Sequence, residues 1–140
     1  MTQKIPSFIS DINNEMIDAA VHALENEKFV LGESVFKFEE EFAKYIVTKN
    51  AISVNSGSSA LHLSLLALGI KKNSKVITPT NSFIASANCI RMINAKQLLC
   101  DVLPEDGSID MKSVNDSADA VIPVHIYGNP CVFDSVKYFA

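Results

Sequence analysis

From residue 51 to the end of the chain, short apolar segments alternate with helical segments, and this alternation constrains the fold most strongly. The predicted strands cover residues 51–54, 76–78, 97–102 and 120–125, and the predicted helices cover 60–68, 83–93 and 132–139. Strands that alternate with helices form a mostly parallel sheet, and apolar pairs such as Val76-Ile77 suit strands buried on both faces. We therefore expect an α/β fold in which helices flank a mostly parallel sheet.

Two helices are predicted ahead of this sheet. Ser10 or Asp11 caps the first, which runs to about Asn26, and Ser34 caps the second. The apolar residues of the first recur at four-residue steps and predict a buried stripe: Ile12, Met16, Ala20 and Leu24. The predicted organisation is a helical segment over 1–50 and a sheet domain over 51–140.

Composition excludes several classes of protein. The 140 residues include 12 Lys+Arg and 16 Asp+Glu, with no block of basic residues, which argues against binding to nucleic acid or to a membrane surface. The longest apolar run, 60–70, is too short to cross a bilayer, and residues 1–9 lack a secretory signal, so we expect a cytoplasmic protein. Cys89, Cys100 and Cys131 are widely spaced and predict small core residues, and no spacing favours a metal site.

A strand–turn–helix signal lies at residues 54–60. Gly57 lets the backbone turn tightly, and Ser58 and Ser59 stand at the start of the next helix. Unpaired N–H groups and hydroxyls at such a helix end can hold a phosphate, but serine is also an ordinary capping residue. The spacing alone favours the capping interpretation, and neither a GxGxxG motif nor a P-loop lysine is present.

Two further candidates follow later strands. Phe83 comes after the strand at 76–78, where it either stacks on a flat ligand ring or packs in the core. His125 ends the strand at 120–125, where it either lines the same cleft or bonds to a neighbouring loop. No nucleophile with a paired base can be assembled from the spacing, so no catalytic residue is predicted.

These signals belong to a longer pattern of ordered motifs. They are FVLG at 29–32, VFKFEEEFA at 35–43, SGSSALHL at 56–63, KVITP with SFIA at 75–85, CDV at 100–102, and IPVHIYGNP at 122–130. Together they resemble the DegT/DnrJ/StrS family of sugar aminotransferases, which depend on pyridoxal 5′-phosphate (PLP) and have the aspartate-aminotransferase fold. The resemblance covers residues 5–134.

The resemblance implies roles for the candidate residues. Gly57, Ser58 and Ser59 would hold the PLP phosphate, and Phe83 would stack on the pyridine ring. Phe29 and Gly32 would lie near the substrate entrance, and His125 is a further substrate candidate. Family members are homodimers that transfer an amino group, typically from glutamate, to a keto group of a nucleotide-linked sugar in polysaccharide or amino-sugar biosynthesis.

The chain departs from the family in turns and in extent. Asn73-Ser74 replaces a Gly-Asp turn, and Asn94 replaces a glycine. The family's aspartate that pairs with the pyridine nitrogen and its Schiff-base lysine would both fall after Ala140. The resemblance therefore implies a truncated PLP-transferase large domain, inactive alone and completed by a homodimer or a C-terminal chain. A non-catalytic half-domain that binds a phosphate or a partner is the alternative.

Overall fold

The computed structural model describes residues 6, 9–114 and 117–132. The chain divides into two compact units between Ser53 and Val54, and each unit is described by itself. Among the described residues, no helix combines the length and the hydropathy needed to cross a bilayer. The helix predicted over 132–139 lies almost entirely outside the described residues.

The first unit contains two helices, α1 (Asn14–Asn26) and α2 (Glu33–Ile46). Asn13 caps α1, because its side chain accepts a hydrogen bond from the N–H of Met16 at 2.9 Å. The prediction that Ser10 or Asp11 caps this helix is therefore wrong. The amide oxygen of Asn13 stands at the geometry that the first turn requires, three residues before the N–H it binds.

Gly32, not Ser34, is the capping residue of α2, so that prediction is also wrong. Ser34 instead donates its N–H, at 2.9 Å, and its hydroxyl to the carboxylate of Glu27. These two hydrogen bonds, the hydroxyl first, lower the pKa of Glu27 below its ordinary value. Ser34 was expected to accept an N–H of the first turn of α2. Instead, the carboxylate of Glu27, which precedes the helix, accepts the N–H of Ser34.

The apolar stripe of α1 is exposed. No residue of α1 is buried, and Met16 and Leu24 are 55% and 64% exposed. Ile12, which precedes the helix, is 66% exposed, and Ala20 is exposed as well. Four-residue periodicity identifies the apolar face of a helix but not the element that covers it, so the predicted burial is wrong for this chain.

Residues 51–54 form no strand, contrary to prediction. Ser53 gives its N–H and its hydroxyl to the carboxylate of Glu39, at 2.7 and 2.8 Å. Ile52 is 83% exposed. A strand needs a ladder of backbone partners, and here a side chain has taken the N–H that a ladder would use.

The second unit is built on a parallel sheet. Strand β1 (Lys75–Pro79) lies between β2 (Lys96–Cys100) and β3 (Ala120–Val121), and both pairings are parallel. This confirms the predicted α/β fold with a parallel sheet. The observed β2 and β3 are shorter than predicted, because backbone pairing stops at Cys100 and Val121.

Helices α3 (Gly57–Ala67) and α4 (Ala85–Met92) cover one face of the sheet. The core there consists of Leu65, Ile70, Val76, Cys89, Ile90, Ile93 and Ile122. The core on the other face consists of Ile77, Cys100, Ile109, Met111 and Cys131. All three cysteines are therefore buried core residues, as predicted, and burial raises the pKa of their thiols.

Helix α3 is apolar nearly all round, a pattern that predicts a buried helix, and the prediction is wrong. Leu65 is its one buried residue, whereas Leu63, Leu66 and the following Leu68 are 50%, 48% and 72% exposed. The apolar outer face is left open within the described structure. Gly69 follows the end of the helix, where glycine commonly stops a helix; its φ is 76°, and its N–H donates to the carbonyl of Leu66 at 3.0 Å.

Two turns explain the departures from the family pattern. Asn73 and Asn94 have φ values of 71° and 57°, in the left-handed region that favours glycine. The N–H of Asn73 donates to the carbonyl of Asn94 at 3.1 Å, so the two turns brace each other. Asparagine tolerates this conformation better than other residues with a side chain, so it can replace glycine at both positions.

Replacing Val47 with glycine is expected to stabilise the chain. Val47 caps the end of α2 with a φ of 59° and is 90% exposed. The left-handed conformation costs a β-branched residue about 1–2 kcal/mol, more than the roughly 0.5–1 kcal/mol of entropy that glycine loses. Denaturant unfolding should show a gain of about 0.5–1 kcal/mol. Val21→Gly, in the middle of α1, is the matched control and should destabilise; a loss in both variants would contradict the prediction.

Replacing Gly32 with alanine is expected to destabilise the chain. A Cβ at this position would lie 2.6 Å from Oε2 of Glu27 and 2.8 Å from the carbonyl oxygen of Lys28. The carboxylate can move only by loosening its bonds to Ser34, and the carbonyl is backbone, so a loss of about 1–3 kcal/mol is expected. Gly57→Ala is the control, because nothing lies within 4 Å of a Cβ there. Unfolding followed by circular dichroism should separate the two, and equal stabilities would refute the steric explanation.

Candidate functional site

A cleft of about 610 Å³ opens where β1 and β3 end. Parallel strands bring their carboxyl ends to one edge of a sheet, and ligands of open α/β folds bind beyond that edge. Three segments build its wall: the start of α3, the loop between β1 and α4, and the segment after β3. The described lining residues are Gly57, Ser58, Ala60, Leu61, Ser82, Phe83, Ala85, Ser86, Val124, His125, Ile126 and Tyr127.

The start of α3 serves both functions that the sequence left open. Ser56 caps the helix: its Oγ accepts the N–H of Ser59 at 3.2 Å. The N–H groups of Gly57 and Ser58 have no protein acceptor within the described residues, and both residues line the cleft. A capped helix end with two unpaired N–H groups can still accept an anion, because the cap uses a different donor.

Ser59 is oriented by the cap. The hydroxyl of Ser56 donates to Oγ of Ser59 at 3.0 Å, which leaves the hydrogen of Ser59 available for another acceptor. Ser59 itself is not among the described residues that line the cleft, so its role as a phosphate ligand stays a prediction. Ser56 was not among the residues predicted from the sequence, although a serine directly before a helix start is the usual capping signal.

Gly57 has a different use from the one predicted. Its φ does not lie in the left-handed region, so the turn does not require glycine's conformational freedom. A Cβ at this position would meet nothing within 4 Å. The space beside its backbone is open, and Gly57 lines the cleft. Its role as a phosphate ligand stays a prediction.

Phe83 lies in the wall of the cleft and is 75% exposed. The alternative that it packs in the core is therefore wrong. Its ring is accessible to a flat ligand in the same cleft as the start of α3. Stacking on a ligand ring stays a prediction.

His125 was expected either to line the cleft or to bond to a neighbouring loop, and it does both. It lines the cleft, and its Nδ1 accepts the N–H of Cys131 at 3.1 Å. An acceptor at Nδ1 places the hydrogen of a neutral imidazole on Nε2. The bond to the loop thus fixes both the orientation and the tautomer of a residue in the cleft wall.

Tyr127 is a lining residue that was not singled out from the sequence, where it stands only inside the motif at 122–130. It is 83% exposed, and its φ of 56° lies in the left-handed region. Its hydroxyl accepts a hydrogen bond from Nδ2 of Asn81 at 3.4 Å, which joins the loops after β1 and β3. A tyrosine in this conformation is strained, and such strain concentrates at binding sites.

Phe29 and Gly32 belong to the first unit. Phe29 is 87% exposed, and Gly32 lines a separate cleft of about 360 Å³ with Asn26, Glu27, Lys28, Leu31, Glu33 and Phe36. Leu31, between them, has a φ of 53°. Their predicted place at a substrate entrance stays a prediction.

The described lining of the cleft contains no lysine, aspartate or glutamate. It therefore provides hydrogen-bond donors and an aromatic face but neither a covalent anchor nor a carboxylate. Within residues 9–114 and 117–132, no three histidine, cysteine, aspartate or glutamate side chains come together as metal ligands.

Solved structures support the fold assignment. The aminotransferase from Psychrobacter cryohalolentis superposes with a TM-score of 0.83 at 30% identity, over 99% of this chain and 35% of its own. The E. coli GDP-4-keto-6-deoxy-D-mannose-3-dehydratase with bound hydrated PLP gives a TM-score of 0.86 at 27% identity, over 97% of this chain and 38% of its own. Both likenesses confirm the expected PLP-transferase fold.

Sequence relatives agree with this result. An uncharacterized protein of Methanocaldococcus jannaschii, MJ1066, is 37% identical over 97% of this chain and 36% of its own length. The GDP-perosamine synthase of Caulobacter vibrioides is 36% identical over 76% of this chain and 30% of its own length. This chain thus spans about a third of the relatives that it matches. Residues 10–140 match the family described as DegT/DnrJ/EryC1/StrS aminotransferases. The chain therefore belongs to the DegT/DnrJ/EryC1/StrS aminotransferase family.

Proposed function

We propose that the cleft binds PLP. The phosphate would lie at the N–H groups of Gly57 and Ser58 and the hydroxyls of Ser58 and Ser59, with the pyridine ring against Phe83. The observation that carries the proposal is the convergence of a helix end with two unpaired N–H groups and an exposed aromatic ring in one cleft of about 610 Å³. That volume falls within the range of small-molecule sites, and the ring and anion donors match the two ends of the cofactor.

In this proposal the chain binds and orients the cofactor but does not complete the reaction. When bound, PLP supplies the electron sink that amino-group transfer requires. This chemistry also needs a lysine and a carboxylate at the ring. The described lining contains neither. We infer that the 140-residue chain is inactive alone and that a further segment, in the same polypeptide or in a complementing chain, supplies both groups.

The proposed activity of the complete enzyme is transfer of an amino group, typically from glutamate, to a keto group of a nucleotide-linked sugar. The names of the relatives support this: one is a GDP-perosamine synthase, and another, from Streptomyces venezuelae and 34% identical, is a dTDP-3-amino-3,4,6-trideoxy-α-D-glucose transaminase. Phe29 and Gly32 would lie near the substrate entrance, and His125 is a further candidate for contact with the substrate. The enzyme would be a cytoplasmic homodimer acting in polysaccharide or amino-sugar biosynthesis.

A second candidate function is a non-catalytic half-domain that binds a phosphate or a partner. The described lining of the cleft supports it, because hydrogen-bond donors are present there and lysine, aspartate and glutamate are not. The two functions differ in what lies beyond the chain. A coding frame downstream with the missing aspartate and lysine supports the aminotransferase, and a chain that ends here in the cell supports the half-domain.

Removing the N–H of residue 57 is expected to weaken anion binding. Gly57→Pro deletes that donor at the first position of α3, where proline is well tolerated, and Ser56 before it has the extended backbone that proline requires. In the unmodified ¹⁵N-labelled chain, titration with inorganic phosphate should shift the amide signals of Gly57 and Ser58. The helix end should contribute about 1 kcal/mol to the free energy of phosphate binding.

The matched control is Glu33→Pro, at the first position of α2, which follows an equally extended Gly32. Glu33→Pro should leave the phosphate-induced shift of the Ser58 amide signal unchanged, whereas Gly57→Pro should reduce that shift. Phosphate shifts centred on another helix start, with residues 57–59 unaffected, would refute the proposed anion site.

A further prediction concerns covalent labelling. After incubation with PLP and reduction with borohydride, mass spectrometry of the chain should find scattered, substoichiometric labels, because no described lining residue is a lysine. A full-length family member treated in parallel should carry one label at one lysine. A single stoichiometric adduct on the 140-residue chain would show that it holds its own anchor and would contradict its proposed inactivity.

A further inference from the structure

The position of Phe83 does not come from packing of its ring. The side chain is 75% exposed, and the described residues include no aromatic ring in contact with it. A residue so exposed would sample several rotamers unless its backbone restricted them. The contacts of the loop between β1 and α4 therefore decide where the ring points.

Two serines hold the backbone of Phe83. The N–H of Ser86 donates to the carbonyl of Phe83 at 3.0 Å. The hydroxyls of Ser82 and Ser86 lie 2.8 Å apart, and the hydroxyl of Ser82 also lies 3.4 Å from the carbonyl of Phe83. The serine before Phe83 is thus tied to the serine three residues after it.

The start of α4 has no side-chain cap. Ile84 stands at the capping position and makes no side-chain hydrogen bond. No capping side chain therefore ties the preceding residues to the first turn. Here the hydroxyl of Ser86, which is only 7% exposed, anchors the loop from inside the first turn.

Ser82, Phe83 and Ser86 each line two spaces. One is the main cleft, and the other is a smaller cleft of about 210 Å³ that includes the buried Thr78. Phe83 thus borders open space in both clefts, and the hydrogen bonds of its neighbours hold it more than the packing of its ring does.

We propose that Ser86 is a positioning residue which, through its hydroxyl contact with Ser82, holds Phe83 so that its ring faces the main cleft. Ser86 acts through Phe83 and does not contact the ligand in this role. The consequence for binding rests on the proposed function, in which the ring stacks on PLP, whereas the consequence for the ring's mobility does not.

The first test needs no ligand. Side-chain relaxation of ¹³C-labelled phenylalanine should show larger motion of the Phe83 ring in Ser86→Ala than in the unmodified chain, and Ser86→Thr, which keeps the hydroxyl, should restore the original order. Ser108→Ala is the control, since Ser108 is also buried, at 1% exposed, and is not among the described residues of either cleft. Unchanged ring motion in a folded Ser86→Ala variant, or equal motion in the Ser108→Ala control, would overturn the proposal.

The second test is a double-mutant cycle read by PLP titration. Ser86→Ala should weaken binding roughly five-fold, which is about 1 kcal/mol, in the unmodified chain and should have no effect in the Phe83→Ala background. An equal loss in both backgrounds would show that Ser86 does not act through Phe83. If the unmodified chain binds no PLP, the proposed cofactor site is refuted for this chain, and the ring-motion experiment decides the positioning role alone.

Discussion

Burial of β1 on both faces is the constraint on which the second unit depends. Val76 and Ile77 are completely buried, and they face opposite sides of the sheet. A strand in that position must have a layer on each side and a partner on each edge. One five-residue segment therefore fixes where α3 and α4 pack, where β2 and β3 pair, and at which edge the loops meet.

The cleft follows from that arrangement. Because both pairings are parallel, the segments after β1 and β3 emerge at the same edge, and the start of α3 reaches it as well. Gly57, Phe83 and His125 are 26 or more residues apart in sequence and line one space. Each is held by a local contact: the Ser56 cap, the Ser82–Ser86 pair and the N–H of Cys131.

The sequence could predict what depends on neighbours along the chain or on a strong pattern. The buried strand at 75–79, the stop at Gly69 and the convergence of the segments after β1 and β3 were predictable from apolar runs, glycine and the rule for parallel sheets. The position of the start of α3 was not, because the strand predicted ahead of it, at 51–54, does not form. The start of α2 was not predictable, because the N–H of Ser34 is bound by the carboxylate of Glu27, seven residues earlier in the chain. The exposed faces of α1 and α3 were not predictable either, since periodicity does not identify a covering element. The roles of Ser58, Ser59 and Phe83 came from the family resemblance and not from spacing.

The segments that line the cleft contribute little to the two cores. Of the described lining residues, Leu61 alone also packs against a core cluster. Replacements in the loops after β1 and β3 can therefore alter which molecule fits without disturbing the layers beneath. Under the proposed function, the positions that shape the ligand site are therefore almost separate from the positions that hold the fold, and a few surface changes would be enough to alter the ligand preference.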